Sequence, residues 1–282
     1  MQPVTRELST GEIITRAFSL FREQSPRIVI PLFFGALVAA LVRLLFAIQT
    51  AALTQQLSSF RNITVNETNA GPILSLAVQS LSYTVLEVFI LFVVSLPFFA
   101  MALKVAFDSS SGKTPSLKEG FLIGFNRLPA LLIAGIVVGI IVSIGFVLIV
   151  IPGILFVIMF LMFIPAIVLE NESSLGSLGR SRQLVSHRWG VVFIVCLLAF
   201  IISIVLSTLF GNIFGFLDIY ASSVVQPFYG LISDVLGISF LTVLYQSLLI
   251  KESGGSPGSQ VPPSTTSQVV SASRHLWPEK IL

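Results

Sequence analysis

The sequence predicts an all-α fold: a polytopic membrane helical bundle with six transmembrane helices and amphipathic interfacial helices on the cytoplasmic side. Three observations carry that prediction. The first is composition: of 282 residues, 55% are hydrophobic and only 10% charged, and the mean hydropathy is +0.97. A water-soluble domain carries about 25% charged residues, so a water-facing surface cannot be built from this chain. The second is a set of apolar runs long enough to cross hydrocarbon. The third is the segregation of Lys and Arg into alternate loops. The same composition excludes disorder of the whole chain, which requires low hydrophobicity. A single cysteine excludes a disulfide framework and a cysteine-rich metal site.

A helix rises about 1.5 Å per residue, so a hydrocarbon core about 30 Å thick needs about 20 apolar residues. The first run, Ile28 to Thr50, carries one charge, Arg43. The second, Ile73 to Phe107, carries only Glu87 and Lys104, with Pro97 as a kink point. Leu128 to Leu169 contains 42 residues and no charge. As one helix it would be about 63 Å long, twice the core, so it must fold back as a hairpin. Ile151-Pro152-Gly153 is its turn signal. Trp189 to Leu209 and Tyr229 to Ile250 give the fifth and sixth spans. Lipid leaves every backbone polar group to be satisfied within the segment, and runs this long exclude barrel strands near 10 residues.

Fourteen of the sixteen Lys and Arg residues fall in the first 27 residues, the second and fourth loops with their flanks, and the tail. Only Arg61 lies in an opposite loop and Arg43 within a span. The positive-inside rule then places both termini in the cytoplasm of a multi-pass cell-membrane protein. Three units emerge: residues 1–27 as a cytoplasmic amphipathic segment, 28–250 as the transmembrane domain, and 251–282 as a Ser/Gly/Pro/Thr-rich flexible tail. The first apolar run is too long for a cleavable leader and reads as a retained anchor.

A capping-box pattern recurs ahead of alternate spans. Ser9-Thr10-Gly11-Glu12 precedes Ile13, Ile14, Ala17, Phe18 and Phe21 on one helical face, with Arg16 and Arg22 elsewhere. Ser116-Leu117-Lys118-Glu119 precedes Phe121, Leu122 and Phe125. Ser174-Leu175-Gly176-Ser177 is a weaker third copy. Basic and apolar faces opposed on a short helix suit the headgroup region. The outer segment Ile213, Leu217, Tyr220, Val224 has the same spacing and reads as a further interfacial helix.

The candidate ligand or ion-pair residues are Arg43, Glu87 and Asp234. Arg43 lies 16 residues beyond Arg27, and Glu87 lies 17 residues before Lys104 on the returning helix. Both are therefore about 25 Å from the basic side, at matching depth. Asp234, near the outer start of the sixth span, is read as able to join them. A charge in hydrocarbon costs about 2.5–3.5 kcal/mol on insertion scales, so such residues pair or line a polar site. Asn62-Ile63-Thr64 and Asn66-Glu67-Thr68 fit the N-glycosylation acceptor pattern in the outer loop, making Asn62 and Asn66 candidate sites; Asn171 fits too but falls on the cytoplasmic side. Gly135, Gly139 and Ser143 form a small-residue stripe suited to close helix packing or a homodimer face. Ser110-Ser111-Gly112-Lys113-Thr114 is rejected as a phosphate loop, because Phe107 stands where that loop needs glycine. No metal site and no cofactor are expected, and no catalytic constellation is recognisable.

Two stretches carry a family resemblance. One is Ser9-Thr10-Gly11-Glu12-Ile13-Ile14-Thr15-Arg16-Ala17-Phe18. The other is Ile151-Pro152-Gly153-Ile154 leading to Pro165-Ala166-Ile167-Val168-Leu169-Glu170, then Ser174-Leu175-Gly176-Ser177-Leu178-Gly179-Arg180-Ser181 and Arg188-Trp189-Gly190. In these the chain resembles, over residues 8 to 250, the uncharacterised archaeal and bacterial six-helix proteins related to the glycerophosphoryl diester phosphodiesterase membrane domain. The resemblance implies the fold. It implies no enzymatic activity, because that family's name comes from a separate catalytic domain fused to some members.

The expected function is therefore a non-enzymatic, lipid-associated scaffold or accessory factor, with a small-solute or lipid transporter or permease component as the alternative. The expected partners are the lipid bilayer and a membrane-protein partner or second copy, not nucleic acid. A polar cavity reaching Arg43, Glu87 or Asp234 would favour the transporter.

Overall fold

A computed structural model describes residues 6–60 and 67–252. Their regular structure is helical throughout: α1 (Thr10–Ser59), α2 (Glu67–Ser110), α3 (Leu117–Asn126), α4 (Leu128–Leu148), α5 (Val150–Phe160), α6 (Phe163–Leu169), α7 (Gly176–Ser186), α8 (Trp189–Phe214) and α9 (Ile219–Glu252). Among the described residues six helical stretches are long and apolar enough to cross a membrane, α5 and α6 together forming one of them. The chain is an all-helical membrane protein. Asn62, Asn66 and the tail beyond Glu252 lie outside the described residues.

The leading segment is not a separate interfacial helix. α1 runs unbroken for 50 residues through Pro26 and Pro31, and residue 27 falls inside it. Packing explains why. Of the face expected to rest on lipid, Ile13 and Ala17 are fully buried against α8 and α9 with Val192, Val195, Phe240 and Leu244, joined by Leu20, whereas Phe18 stays exposed. Ile28 and Leu32, buried with residues of α2, α4 and α9, carry the packing on across two prolines that each remove a backbone bond. The capping box itself forms: Ser9 N donates to Glu12 Oε2 at 2.9 Å and Glu12 N to Ser9 Oγ at 3.4 Å. At α3 Glu119 N donates to Ser116 Oγ at 3.3 Å. At α7 the N-cap is Leu175, without a side-chain cap bond, and Gly176 N donates to Ser173 Oγ at 3.1 Å in the turn ahead of it.

The α4–α5 turn comes earlier than the Pro-Gly pair suggests. Ile149, extended at φ −159° and ψ 145°, makes it. Pro152 sits in the first turn of α5, where a missing N–H costs nothing. Gly153 serves contact instead: a Cβ on Gly145 would lie 2.9 Å from Gly153 Cα, so two glycines let α4 and α5 cross closely. The break between α5 and α6 is satisfied from outside, since Ser181 Oγ accepts from Met162 N at 3.0 Å and donates to Met159 O at 2.8 Å. The expected outer interfacial helix is divided between the end of α8 and the start of α9. Asp218 caps the latter, accepting from Ala221 N at 2.7 Å.

α3 does stand apart as a short separate helix. Gly120 and Gly124 press it onto α2, where a Cβ at Gly124 would lie 2.5 Å from Pro97 O. Its opposite side exposes Leu117, Phe121, Leu122 and Phe125. Of the small stripe on α4, Gly135 meets the Phe92 ring, whereas Gly139 faces open space.

The first and last described residues meet at one end of the bundle, where Lys251 bonds Glu7 at 3.3 Å and Arg188 donates to Leu8 O at 2.7 Å. The buried core fills this basic end, with Ile28, Leu103, Leu131, Ile167 and Ile238 in one cluster and Tyr245 and Leu244 in the other. Burial on α2 begins only at Leu96, on α8 it stops at Val195, and on α9 it begins at Val235. The far halves of these helices expose Leu81, Val85, Phe200, Val205 and Leu209. Hydrocarbon is the solvent that tolerates such faces. One end is thus locked and the other is open between helices.

Candidate functional site

The open half holds a cavity of about 580 Å³ between α1, α2, α8 and α9. A small-residue face of α1, Gly35, Ala36 and Ala39, makes room for it. Phe92, Phe98, Phe99, Phe210 and Tyr229 form apolar walls. Tyr229 stacks on Phe210 at 5.6 Å and on Phe214 at 6.0 Å, which fixes the wall between α8 and α9. Ser95, Ser203, Ser207 and Ser233 add hydroxyls. The size falls in the range of small-molecule sites, about 300–1,000 Å³.

Arg43 and Glu87 approach as their matched depth predicts, Arg43 Nη1 lying 3.9 Å from Glu87 Oε1. The same nitrogen donates to Gln226 Oε1 at 2.9 Å. The guanidinium thus ties α1 to both α2 and α9 at the cavity wall. Asp234 also lines the cavity, but it does not join the pair. It is eight residues along α9 from Gln226, about 12 Å in a helix. Its exposed carboxylate makes no hydrogen bond or ion pair among the described residues. The cavity therefore carries a neutralised cation in one place and an uncompensated carboxylate in another.

A second polar assembly, which sequence reasoning missed, locks the basic end. Glu170, at the end of α6, accepts from Arg180 Nε at 2.6 Å, from Arg180 Nη2 at 3.2 Å and from Tyr245 Oη at 2.5 Å. Arg180 Nη1 also reaches Glu252 Oε1 at 2.6 Å, and Gln183 joins Glu252 at 2.9 Å. Burial works against the charged guanidinium, but its bonds to Glu252 and Glu170 outweigh this and raise its pKa above the ordinary arginine value. Arg188 bonds Ser247 at 2.8 Å and pairs with Glu7 at 3.2 Å. Lys104 bonds both oxygens of Asp108 at 2.8 Å and faces Glu119 on α3 at 3.6 Å. Gln246 donates to Ser110 at 2.7 Å. Apart from Lys104–Asp108 and Glu170–Arg180, these partners lie far apart in sequence, Tyr245 75 residues from Glu170 and Gln246 136 from Ser110. At the far site sequence reasoning missed Gln226, which lies before the predicted start of the sixth span.

Among the described residues no three His, Cys, Asp or Glu side chains gather as a metal-ligating group. Cys196 is half-buried against the core.

Fold and site together define a helical membrane protein with a packed polar end and an open, partly charged cavity in its apolar half. The chain belongs to the DUF7847 family, a domain of unknown function, whose profile matches residues 116–272. That region contributes Ser203, Ser207, Gln226 and Asp234 to the cavity, whereas Arg43 and Glu87 precede it. Neither a curated protein nor a solved structure matches the chain.

Proposed function

We propose that this protein is a non-enzymatic, multi-pass membrane protein that binds and moves an amphiphilic solute or lipid through the cleft between α1, α2, α8 and α9. The reading is supported by the cavity lined by Arg43 and Asp234 in the membrane-crossing part of the bundle. Ionisable side chains in such a setting mark ligand and ion pathways more often than packing. The small-solute or lipid transporter is thus favoured over the pure scaffold. A lipid-associated scaffold role draws its support from the exposed Leu117, Phe121, Leu122 and Phe125 of α3. In this proposal the basic end faces the cytoplasm, as the distribution of Lys and Arg implies. The likeness to the glycerophosphoryl diester phosphodiesterase membrane domain belongs to the same proposal, as a guide to fold rather than to chemistry.

Ser207 lines the cavity and is exposed within it, so Ser207→Trp fills the cleft without touching the basic end. Native mass spectrometry of protein purified from membranes is expected to show a retained amphiphile on the wild type and loss of most of it from Ser207→Trp. Equal retention by the two proteins, with unchanged melting temperature, would contradict the cleft reading.

A further inference from the structure

We infer that the cleft selects an organic cation: an amphiphile whose positive group is met by Asp234 and whose apolar body lies against the aromatic wall. The inference rests on the cleft being a binding site and assigns the chemical class of what it binds.

Charge is the first argument. The ionisable groups at the cavity are Arg43, its neighbour Glu87, and Asp234. Arg43 is already held by Glu87 at 3.9 Å and by the Gln226 carbonyl oxygen at 2.9 Å, so its positive charge is largely answered. Asp234 has no such partner among the described residues. With Asp234 ionised, these three groups sum to one negative charge. A carboxylate in a low-dielectric cavity interacts far more strongly with an opposite charge than it would in water. The ligand that satisfies it carries a positive charge.

The walls are the second argument. Phe92, Phe98, Phe99, Phe210 and Tyr229 line the same space. Aromatic faces carry negative electrostatic potential and attract alkylated ammonium groups within about 6 Å. They also remove the apolar substituents of such a cation from water or headgroups. A metal ion would gain little here, because a single carboxylate and scattered hydroxyls do not make the six to eight oxygen ligands of calcium or the octahedron of magnesium. An anionic headgroup would have to compete with Glu87 for Arg43 and would be repelled by Asp234.

Tetraphenylphosphonium and tetraphenylborate offer the test, having the same shape and opposite charge. Each is titrated calorimetrically at mildly alkaline pH into protein in zwitterionic nanodiscs, with empty nanodiscs as the blank. Saturable binding of the phosphonium, none of the borate, and an affinity about tenfold weaker in Asp234→Asn and restored in Asp234→Glu are expected. Equal binding of the phosphonium by Asp234→Asn, at unchanged melting temperature, overturns the inference. So does saturable borate binding that Arg43→Gln abolishes; the cleft then remains a ligand site, for an anion. Failure of both ions to saturate, together with amphiphile retention by Ser207→Trp, removes the cleft reading itself.

Discussion

Arg180→Ala is expected to lower stability by about 3–5 kcal/mol, the cost of breaking one side of a buried ion pair. Glu170 is 7% exposed at its side chain and has the guanidinium as its charged partner. Removing Arg180 leaves that carboxylate buried with only the Tyr245 hydroxyl to answer it. It also takes the charged partner from Glu252, which keeps only Gln183, so the end of α6, the middle of α7 and the end of α9 lose their common tie. Thermal unfolding in detergent should show a fall of about 10 °C, at about 2–4 °C per kcal/mol for a chain of this size. Arg180→Lys should recover only part, since an ammonium cannot serve two carboxylates through a planar fork. Combining Arg180→Ala with Glu170→Gln should recover more, because the stranded charge is gone. The pH dependence has a definite sign. The folded pKa of Arg180 is raised, so its contribution is fully present below the ordinary arginine value and is lost only as pH rises through the folded value. Alkaline buffers short of that range should leave the clamp intact.

Arg43→Ala and Glu87→Ala, measured singly and together, should each destabilise by about 2–3 kcal/mol, with a coupling energy of about 1 kcal/mol or more. The side chains are 32% and 21% exposed, so the pair is weaker than the clamp at the basic end. Each single change leaves the other charge in an apolar region. Arg43→Ala should cost more than Glu87→Ala, because it also removes the bond to Gln226 that ties α1 to α9. A double-mutant cycle on purified protein reads the coupling. Strictly additive effects would mean that the two charges do not sense one another.

The apolar runs were legible because a hydrocarbon solvent punishes any interruption, so length and charge alone reveal the crossing helices. The Arg43–Glu87 approach was legible for a related reason: antiparallel helices with equal rises bring equal depths together. Asp234 escaped that arithmetic, because counting from a nominal span end ignores how α9 is placed against α1. The first amphipathic face is only in part lipid-facing: Phe18 is exposed, but Ile13 and Ala17 are packed into the core. Periodicity shows that these residues share a side of the helix, but not what covers it. The Pro-Gly pair lies three residues beyond the hairpin turn at Ile149, since proline is also at home in a first helical turn and glycine at a helix crossing. The clamp of Glu170, Arg180, Tyr245 and Glu252 joins residues up to 82 apart, and no local pattern encodes a pairing of that range.

The account depends on this bundle crossing a bilayer with its basic end on the cytoplasmic face. Single cysteines at Ser9, Lys113 and Ser59, introduced in a Cys196→Ser background, can be probed with a membrane-impermeant thiol reagent on intact cells. Labelling at position 59 alone, with positions 9 and 113 reacting only after the cells are opened, is the predicted result. Labelling of 9 and 59 from the same side would contradict it.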